Sequence, residues 1–256
     1  MITHPFTAAG SFIKALPLLF SKQLRLFLLA PILANIVLMA LLYMVALNYM
    51  STAVDGMMGY MPDWLSFLNW LFYLILNIVV GILLFYSFSV GVNILAAPFM
   101  AFLAEKVEEQ QTGKVFDETL TFSSIMMIAG RSIKRELQKL LYFLPRFIGL
   151  LLLSFVPLVN AVSPVLLLLF SAWMLALQYM DYAFDNNKVS FSDMRASLRE
   201  KPLLCWTFGF IVMVGITIPL LNLFVMPIAV VAATLLWIKL YSERFVNFSD
   251  LLSPKK

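Results

Sequence analysis

A short polar segment, Ser21-Lys22-Gln23-Leu24-Arg25, stands directly before the first long apolar run of this chain. Ser21 is a good helix N-cap, so the N–H groups of Gln23 and Leu24 would be unpaired donors at a positive helix end. Arg25 adds a planar guanidinium that fits a tetrahedral oxyanion, and Lys22 adds a second positive charge. The segment therefore predicts an anion site formed by these five residues. The alternative is that Arg25 only anchors the end of an apolar helix.

Seven asparagines lie within the apolar runs, where an amide is costly unless it has a polar partner or contacts water, and four of them are candidates for a polar lining. Two of them follow similar sequences, VPLVN and IPLLN. We expect all four to line a polar route: Asn35, Asn93, Asn160 and Asn222. The alternative is that Asn160 and Asn222 cap broken helix ends and that Asn93 makes a buried hydrogen bond between helices.

Three carboxylates stand near the predicted cytoplasmic ends of the apolar runs: Glu105, Asp181 and Asp185. Ionisable groups at such positions often relay protons, so these three are candidates for proton coupling. The alternative is that they are solvated charges at helix ends. The chain has one histidine, one cysteine and no complete phosphate-binding loop, so we expect no metal site and no cofactor.

Apolar helices must hold these side chains. Hydrophobic residues make up 62% of the 256 residues, charged residues make up 12%, and the mean hydropathy is +0.93. A spanning helix needs about 20 apolar residues. Four runs contain no Asp, Glu, Lys or Arg: Leu26–Val54, Trp64–Ala104, Phe147–Met180 and Pro202–Ile238. The sequence therefore predicts an all-α integral membrane protein with one membrane-embedded domain, residues 1–256.

The basic residues predict the orientation of the chain in the membrane. All 18 Lys and Arg residues lie outside the connection Tyr49–Asp63. Because basic segments tend to stay in the cytoplasm, this connection is predicted to face outward, and both termini are predicted to be cytoplasmic. Two long transmembrane helices, 21–54 and 64–112, follow from this arrangement.

The two C-terminal apolar runs must then enter and leave the membrane on the same side. The first contains Pro157 and Pro164, and the second contains Pro219 and Pro227. These prolines divide the runs into arms of about 15–24 Å, short of a hydrocarbon core of about 30 Å. We therefore expect two re-entrant helical hairpins, 145–181 and 202–241. Their tips would leave backbone groups that must contact protein or water.

The polar segments are predicted to form amphipathic helices in the membrane interface. Ser123–Leu144 has apolar residues on one side, and Pro5–Phe20 is expected to lie in the interface similarly. The other side of Ser123–Leu144 is expected to be solvated and carries Arg131, Lys134, Arg135, Glu136 and Lys139. The alternative role for this basic cluster is to gather anions before they enter the membrane.

Several motifs resemble the CysZ sulfate permease family of bacterial inner membranes. The most specific stretch is FSAWMLALQYMDY at Phe170–Tyr182, which continues as FDNNK at Phe184–Lys188. Supporting motifs are Ala96-Ala97-Pro98-Phe99 with Leu103-Ala104-Glu105, Lys134-Arg135-Glu136, and Ile218-Pro219-Leu220-Leu221-Asn222-Leu223-Phe224. The similarity extends from about Ser21 to Tyr241.

The resemblance implies sulfate uptake for cysteine biosynthesis, long membrane helices with partly penetrating hairpins, and a homo-oligomer. Its implied partners are sulfate and membrane lipid, with no nucleic acid. It also implies a sulfate site at the start of the first membrane helix, where many members have two adjacent arginines. Arg25 matches the first of these, and Leu26 stands at the second position.

The membrane potential bears on the expected mechanism. Entry of a dianion into a negative interior costs about 4.6 kcal/mol per 100 mV, because each charge costs about 2.3 kcal/mol. Two protons per sulfate would make transport electroneutral. The runner-up function is a membrane scaffold or a regulatory subunit of another transport system. A lipid-modifying enzyme built on Asp181 and Asp185 ranks last, and we expect the chain not to be an enzyme.

Overall fold

A computed structural model of the chain describes residues 3–21, 24, 33, 36–45, 56, 69–114, 116 and 122–245. They belong to two compact units. The first unit comprises Met1–Leu28 and Pro98–Lys256, and the second comprises Leu29–Ala97.

All regular structure in the described residues is helical, which agrees with the predicted all-α class. The helices are α1 Thr3–Leu19, α2 Ile36–Val45, α3 Asn69–Thr112, α4 Phe122–Leu153, α5 Ser163–Asn186, α6 Phe191–Arg199, α7 Pro202–Thr217, α8 Pro219–Leu240 and α9 Ser242–Phe245.

One described helix, α5, is both long and apolar enough to cross a bilayer. It has 24 residues, which corresponds to about 36 Å. Helices α6 and α7 would supply a second crossing if this pair, bent by 102°, is counted as one span. Helix α7 alone has 16 residues, or about 24 Å, and is shorter than a hydrocarbon core.

The core of the first unit lies where α1, α5, α7 and α8 pack together. Small side chains on these helices are buried, among them Ala8, Ala176 and Ala233. Gly209 of α7 lies so close to the backbone of Ala172 in α5 that a β-carbon would overlap its carbonyl group. Small residues that allow close helix approach are typical of helix packing in membranes. Cys205 is buried in the same core, and its thiol lies 3.6 Å from the carbonyl oxygen of Leu198.

The second unit contains α2 and the part of α3 that ends at Ala97. Many of its described apolar side chains are exposed: Leu33, Ile36, Val37, Met39, Trp70, Leu74, Ile75 and Ile78. An apolar surface of this kind indicates contact with lipid or with other protein.

The first apolar run is interrupted in the segment next to Pro157 and Pro164, and the second is interrupted at Pro219 only. Helix α4 ends before Pro157, and Pro164 stands in the first turn of α5, where its missing N–H costs nothing. Pro219 begins α8 directly after Ile218. The predicted break at Pro227 is wrong, because α8 continues through it. The flanking residues Val225 and Ala229 are buried in the core, and this packing holds the helix together across the proline.

The predicted boundary between an interface helix and the first hairpin arm is also wrong. Helix α4 runs without interruption from Phe122 to Leu153 and passes through Pro145. One helix therefore carries both the basic segment and the start of the apolar run.

Candidate functional site

The charged face of α4 packs against α5 instead of facing outward. Arg135 is 8% exposed and Lys139 is 4% exposed, whereas the apolar residues Ile133, Leu137 and Leu141 are 67%, 54% and 65% exposed. The prediction of a solvated charged face is therefore wrong for Arg135 and Lys139. The prediction placed this face in water beside an anionic leaflet, whereas Arg135 and Lys139 have an acidic partner on α5.

Lys134 and Glu136 are exposed, as predicted for this face, and Arg131 is half-buried. The helix therefore directs one row of bases inward and leaves the neighbouring charges at the surface.

Asp181 of α5 receives two of these bases. Its Oδ1 lies 2.7 Å from Nε of Arg135, and its Oδ2 lies 3.1 Å from Nζ of Lys139. Asp181 is 3% exposed. Arg135 also donates from Nη2 to the carbonyl oxygen of Val189 at 3.0 Å. The carboxylate is thus held on both oxygens by cations that are themselves buried.

Asp185 extends the same arrangement by one helical turn. Its Oδ2 lies 3.3 Å from Nε of Arg131, and its Oδ1 lies 3.8 Å from Nε of Arg135. Residues four apart lie on the same face of a helix, so two acids on α5 meet three successive bases on α4. We name this set the charge ladder: Arg131, Arg135, Lys139, Asp181 and Asp185.

Glu136 and Gln178 lie at the exposed edge of the charge ladder. Glu136 accepts from Lys139 at 2.6 Å and from Gln178 at 3.2 Å. The five ladder residues carry three positive and two negative charges. Buried ion pairs of this kind add little net stability, because desolvation offsets their attraction. Chemically, the ladder offers cations that can hold an anion whenever their carboxylates are neutralised.

A second polar contact ties the end of α5 to the C-terminal part of α3. Asn186 Nδ2 donates to the carbonyl oxygen of Ala101 at 2.8 Å, and Asn187 Nδ2 donates to Oε2 of Glu108 at 2.8 Å. Lys114 contacts both Glu108 and Asn187. These contacts fix the register of the helix that carries the two ladder acids.

The predicted residues of the anion site are mostly outside the described part of the chain. Lys22, Gln23 and Arg25 fall there, while Ser21 and Leu24 are described. The N–H of Leu24 donates to the carbonyl oxygen of Ser21 at 3.1 Å, so it is not the unpaired donor that the sequence led us to expect. The hydroxyl oxygen of Ser21 is buried and has no hydrogen-bond partner among the described residues.

The four asparagines are described to different extents. Asn35 lies outside the described residues, and so do the side chains of Asn93 in α3 and Asn222 in α8. Asn160 is exposed in the turn between α4 and α5. Its N–H donates to Val156 at 3.0 Å, and its carbonyl oxygen accepts from the hydroxyl of Ser163 at 2.9 Å.

Similarity to known proteins identifies the family. The family described as "Sulfate transporter CysZ/Etoposide-induced protein 2.4" matches residues 11–227. The protein named sulfate transporter CysZ of Pseudomonas fluorescens (strain Pf0-1) is 42% identical over 226 residues, which are 88% of this chain and 90% of the relative. The chain belongs to the CysZ family.

Two further CysZ relatives match over most of their length. Those of Vibrio parahaemolyticus (serotype O3:K6) and Pseudomonas aeruginosa (PAO1) are each 41% identical to this chain. The matches include 91% and 90% of this chain, respectively, and 94% of each relative. All three relatives are named as transporters and none as an enzyme. The resemblance stated from the sequence is confirmed, and a CysZ transporter is by its nature a membrane protein.

The CysZ match contains the whole charge ladder, whose pairing the sequence analysis missed. Asp181 and Asp185 were named as a pair of acids, but the bases of α4 were assigned to the surface, so the two sets were not joined. Of the three predicted carboxylates, Asp181 and Asp185 belong to the ladder, whereas Glu105 is half-buried on α3. A signal was present: three bases at intervals of four residues match two acids at the same interval.

Proposed function

We propose that this chain imports sulfate across the bacterial inner membrane, as a homo-oligomer that supplies cysteine biosynthesis. The relatives named sulfate transporter CysZ support the substrate. The observation that carries the proposal is the charge ladder, in which Arg135, Lys139 and Asp181 are buried while exposed apolar side chains lie on the other face of α4. A dianion needs such a route, because moving even one charge into an apolar medium costs on the order of 20 kcal/mol.

The proposed topology has two long transmembrane helices, 21–54 and 64–112, and two re-entrant hairpins, 145–181 and 202–241. The short length of α7 and the position of Pro219 at the start of α8 support the second hairpin. For the first, support comes from the break between α4 and α5, which contains Pro157 and ends just before Pro164. The distribution of basic residues supports cytoplasmic termini.

Sulfate is proposed to bind first at Ser21–Arg25 and then to move along a polar lining that includes Asn35, Asn93, Asn160 and Asn222. Arg25 would hold the anion with its guanidinium, and the buried, unpartnered hydroxyl of Ser21 would donate to it. The exposed apolar surface of the second unit supports contacts between subunits that complete the route.

Proton binding at the charge ladder is proposed to let sulfate replace the carboxylates as the partner of the bases. When ionised, Asp181 pairs with Arg135 and Lys139, and Asp185 pairs with Arg131. Protonation of both carboxylates would free these bases to hold sulfate, and Glu105 would relay protons at the cytoplasmic end. Two protons per sulfate cancel the dianion's charge and remove the cost of about 4.6 kcal/mol per 100 mV.

The test is uptake of radiolabelled sulfate by proteoliposomes that contain the purified chain, with the membrane potential clamped. An acidic exterior is expected to raise the initial rate. Asp181→Asn and Asp185→Asn are expected to abolish the response to the pH gradient, while Lys134→Gln, which removes an exposed base from α4, is expected to keep it.

The outcomes separate the parts of the proposal. An absence of sulfate flux from the purified chain would exclude the transporter and favour the scaffold. Flux that ignores the pH gradient would exclude proton coupling alone. Arg25→Ala is expected to weaken sulfate binding at least tenfold in calorimetry, with Lys14→Ala in α1 as the matched control; unchanged affinity would exclude Arg25 from the site.

A further inference from the structure

A second basic site lies between α4 and α6, and its lining includes none of the five charge-ladder residues. An open groove of about 440 Å³ separates the two helices. Helix α4 contributes one wall and the start of α6 contributes the other. The lining residues are Gln138, Leu141, Tyr142, Arg146, Ser190, Phe191, Ser192 and Arg195. Two of the eight are arginines, and none is acidic.

Both arginines are positioned by the same aromatic ring. The guanidinium carbon of Arg146 lies 3.8 Å from the centroid of the Tyr142 ring, and that of Arg195 lies 4.8 Å from it. The distance between the two guanidinium carbons therefore cannot exceed the sum of these two distances. Arg195 also packs 5.0 Å from the ring of Phe191. Packing against aromatic rings orders the two planar guanidinium groups without neutralising their positive charges.

Neither guanidinium group is paired with an acidic side chain among the described residues. Within the described residues no ion pair joins Arg146 or Arg195 to a carboxylate. Arg146 donates from Nη1 to the carbonyl oxygen of Tyr142 at 2.8 Å, which leaves its other N–H groups available. Nε of Arg195 is shielded from solvent and has no hydrogen-bond partner in the described part of the chain. In the charge ladder, by contrast, every base already contacts an acid.

Further donors surround the two arginines. Ser190 caps α6, so the N–H groups of Phe191 and Ser192 lie in its first turn, at the positive end of the helix. Gln138 adds an amide from α4. The acid of this turn, Asp193, accepts from the hydroxyl of Ser190 at 2.6 Å and is not among the lining residues. The groove is therefore rich in donors, and no acidic side chain is among its described lining residues.

The groove lies where the charged part of α4 gives way to its apolar part. Arg146 is the last charged residue before the run Phe147–Met180. Leu141, Leu144 and Ile148 beside it are exposed apolar side chains. A membrane interface presents lipid phosphates at such a boundary, and free sulfate has the same tetrahedral arrangement of oxygens.

We propose that the groove between α4 and α6 binds a tetrahedral oxyanion, either a lipid headgroup phosphate or free sulfate, between Arg146 and Arg195. The lining residues include none of the charge ladder, and the ring of Phe191 contacts Arg195 on the groove side and Arg135 of the ladder. Binding there would fix α6 against α4.

The experiment uses the full-length protein and two probes. Native mass spectrometry measures retained phosphatidylglycerol against phosphatidylcholine, and equilibrium binding in detergent measures radiolabelled sulfate. The variant Arg146→Gln/Arg195→Gln is compared with Lys134→Gln/Arg199→Gln, which removes two exposed bases from the same two helices. The groove variant is expected to bind one probe at least tenfold more weakly than its control.

A second variant keeps the test decisive if removal of the arginines impairs folding. Ser192→Glu adds a carboxylate at an exposed position in the first turn of α6, where an acid favours the helix. It is expected to expel the anion, whereas Ala196→Glu at another exposed position of α6 is expected not to. Loss of phosphatidylglycerol alone identifies the headgroup, and loss of sulfate alone identifies the free anion. Equal binding of both probes by the groove variants and their controls would overturn the proposal.

Discussion

The two C-terminal helical hairpins of the first unit are joined by similar sequences but have different interiors. Between α4 and α5, buried bases meet buried acids. The hairpin of α7 and α8 is packed with apolar and small side chains such as Val212 and Ala232. In the first hairpin the helices are joined by a turn that holds Leu158 at a φ of 70°, and in the second by Ile218 alone.

This difference indicates that the two hairpins have different roles. Apolar packing gives stability without a polar cost, so the second hairpin can serve as the support on which α1 and α5 rest. Buried ion pairs give little net stability, so the first hairpin is where function is expected to have selected the residues.

Loss of a ladder acid is expected to have the largest effect. Asp181→Ala leaves Arg135 and Lys139 buried without their shared partner and is expected to lower the free energy of unfolding by about 3–5 kcal/mol. Thermal unfolding in detergent measures this. The control Glu136→Ala removes an acid from the exposed edge of the ladder and is expected to cost about 1 kcal/mol or less. Equal costs would mean that the ladder is solvated like its edge.

A smaller loss of stability is expected when a methyl group is added to a glycine of the second hairpin. A methyl group on Gly209 would meet the backbone of Ala172, which cannot move without shifting α5, so Gly209→Ala is expected to cost about 1–3 kcal/mol. At Gly215 the methyl group would meet only the side chain of Val225, so Gly215→Ala is expected to cost less. The same thermal measurement compares the two, and a larger loss at Gly215 would contradict the packing described for α5 and α7.

The turn of the first hairpin is expected to tolerate a stabilising change. Leu158 is exposed and left-handed, a conformation that costs a side-chain residue about 1–2 kcal/mol and costs glycine little. Leu158→Gly is therefore expected to raise the unfolding temperature slightly. Val159→Gly, one residue further and not left-handed, is expected to lower it.

The smallest effect is expected at an exposed ion pair outside both hairpin interiors. The hydrogen bond from Arg244 lowers the pKa of Glu200 below its ordinary value. Because the folded pKa is the lower one, any stability from this pair exists above the unfolded pKa and is lost as the pH falls through the folded pKa. Glu200→Gln is expected to change the unfolding temperature little at neutral pH and not at all in acid. A clear difference between the two proteins in acid would contradict this.

The sequence predicted the helical class and the neighbourhood of the helix breaks because those follow from local composition. It also identified the amphipathic pattern of α4 but placed the charged face on the wrong side. Local periodicity defines two faces without saying which of them meets the protein. That depends on the solvent and on α5, whose ladder acids lie 46 residues or more along the chain from Arg135.

The remaining errors have the same origin. Pro227 does not break α8, because burial of its neighbours in the core outweighs a local preference. The pairing of Arg146 with Arg195 at one tyrosine depends on how α6 folds back after Asn187 and Lys188, where the chain takes a left-handed turn. No spacing along the sequence encodes such a contact.

The burial of Cys205 has a practical consequence for the topology proposed above. It is the one cysteine of the chain, and its thiol is enclosed by the core. A membrane-impermeant maleimide should therefore leave the unmodified protein unlabelled. Single cysteines introduced at exposed positions such as Lys134 and Asn160 would then report, from intact cells, which side of the membrane each position faces.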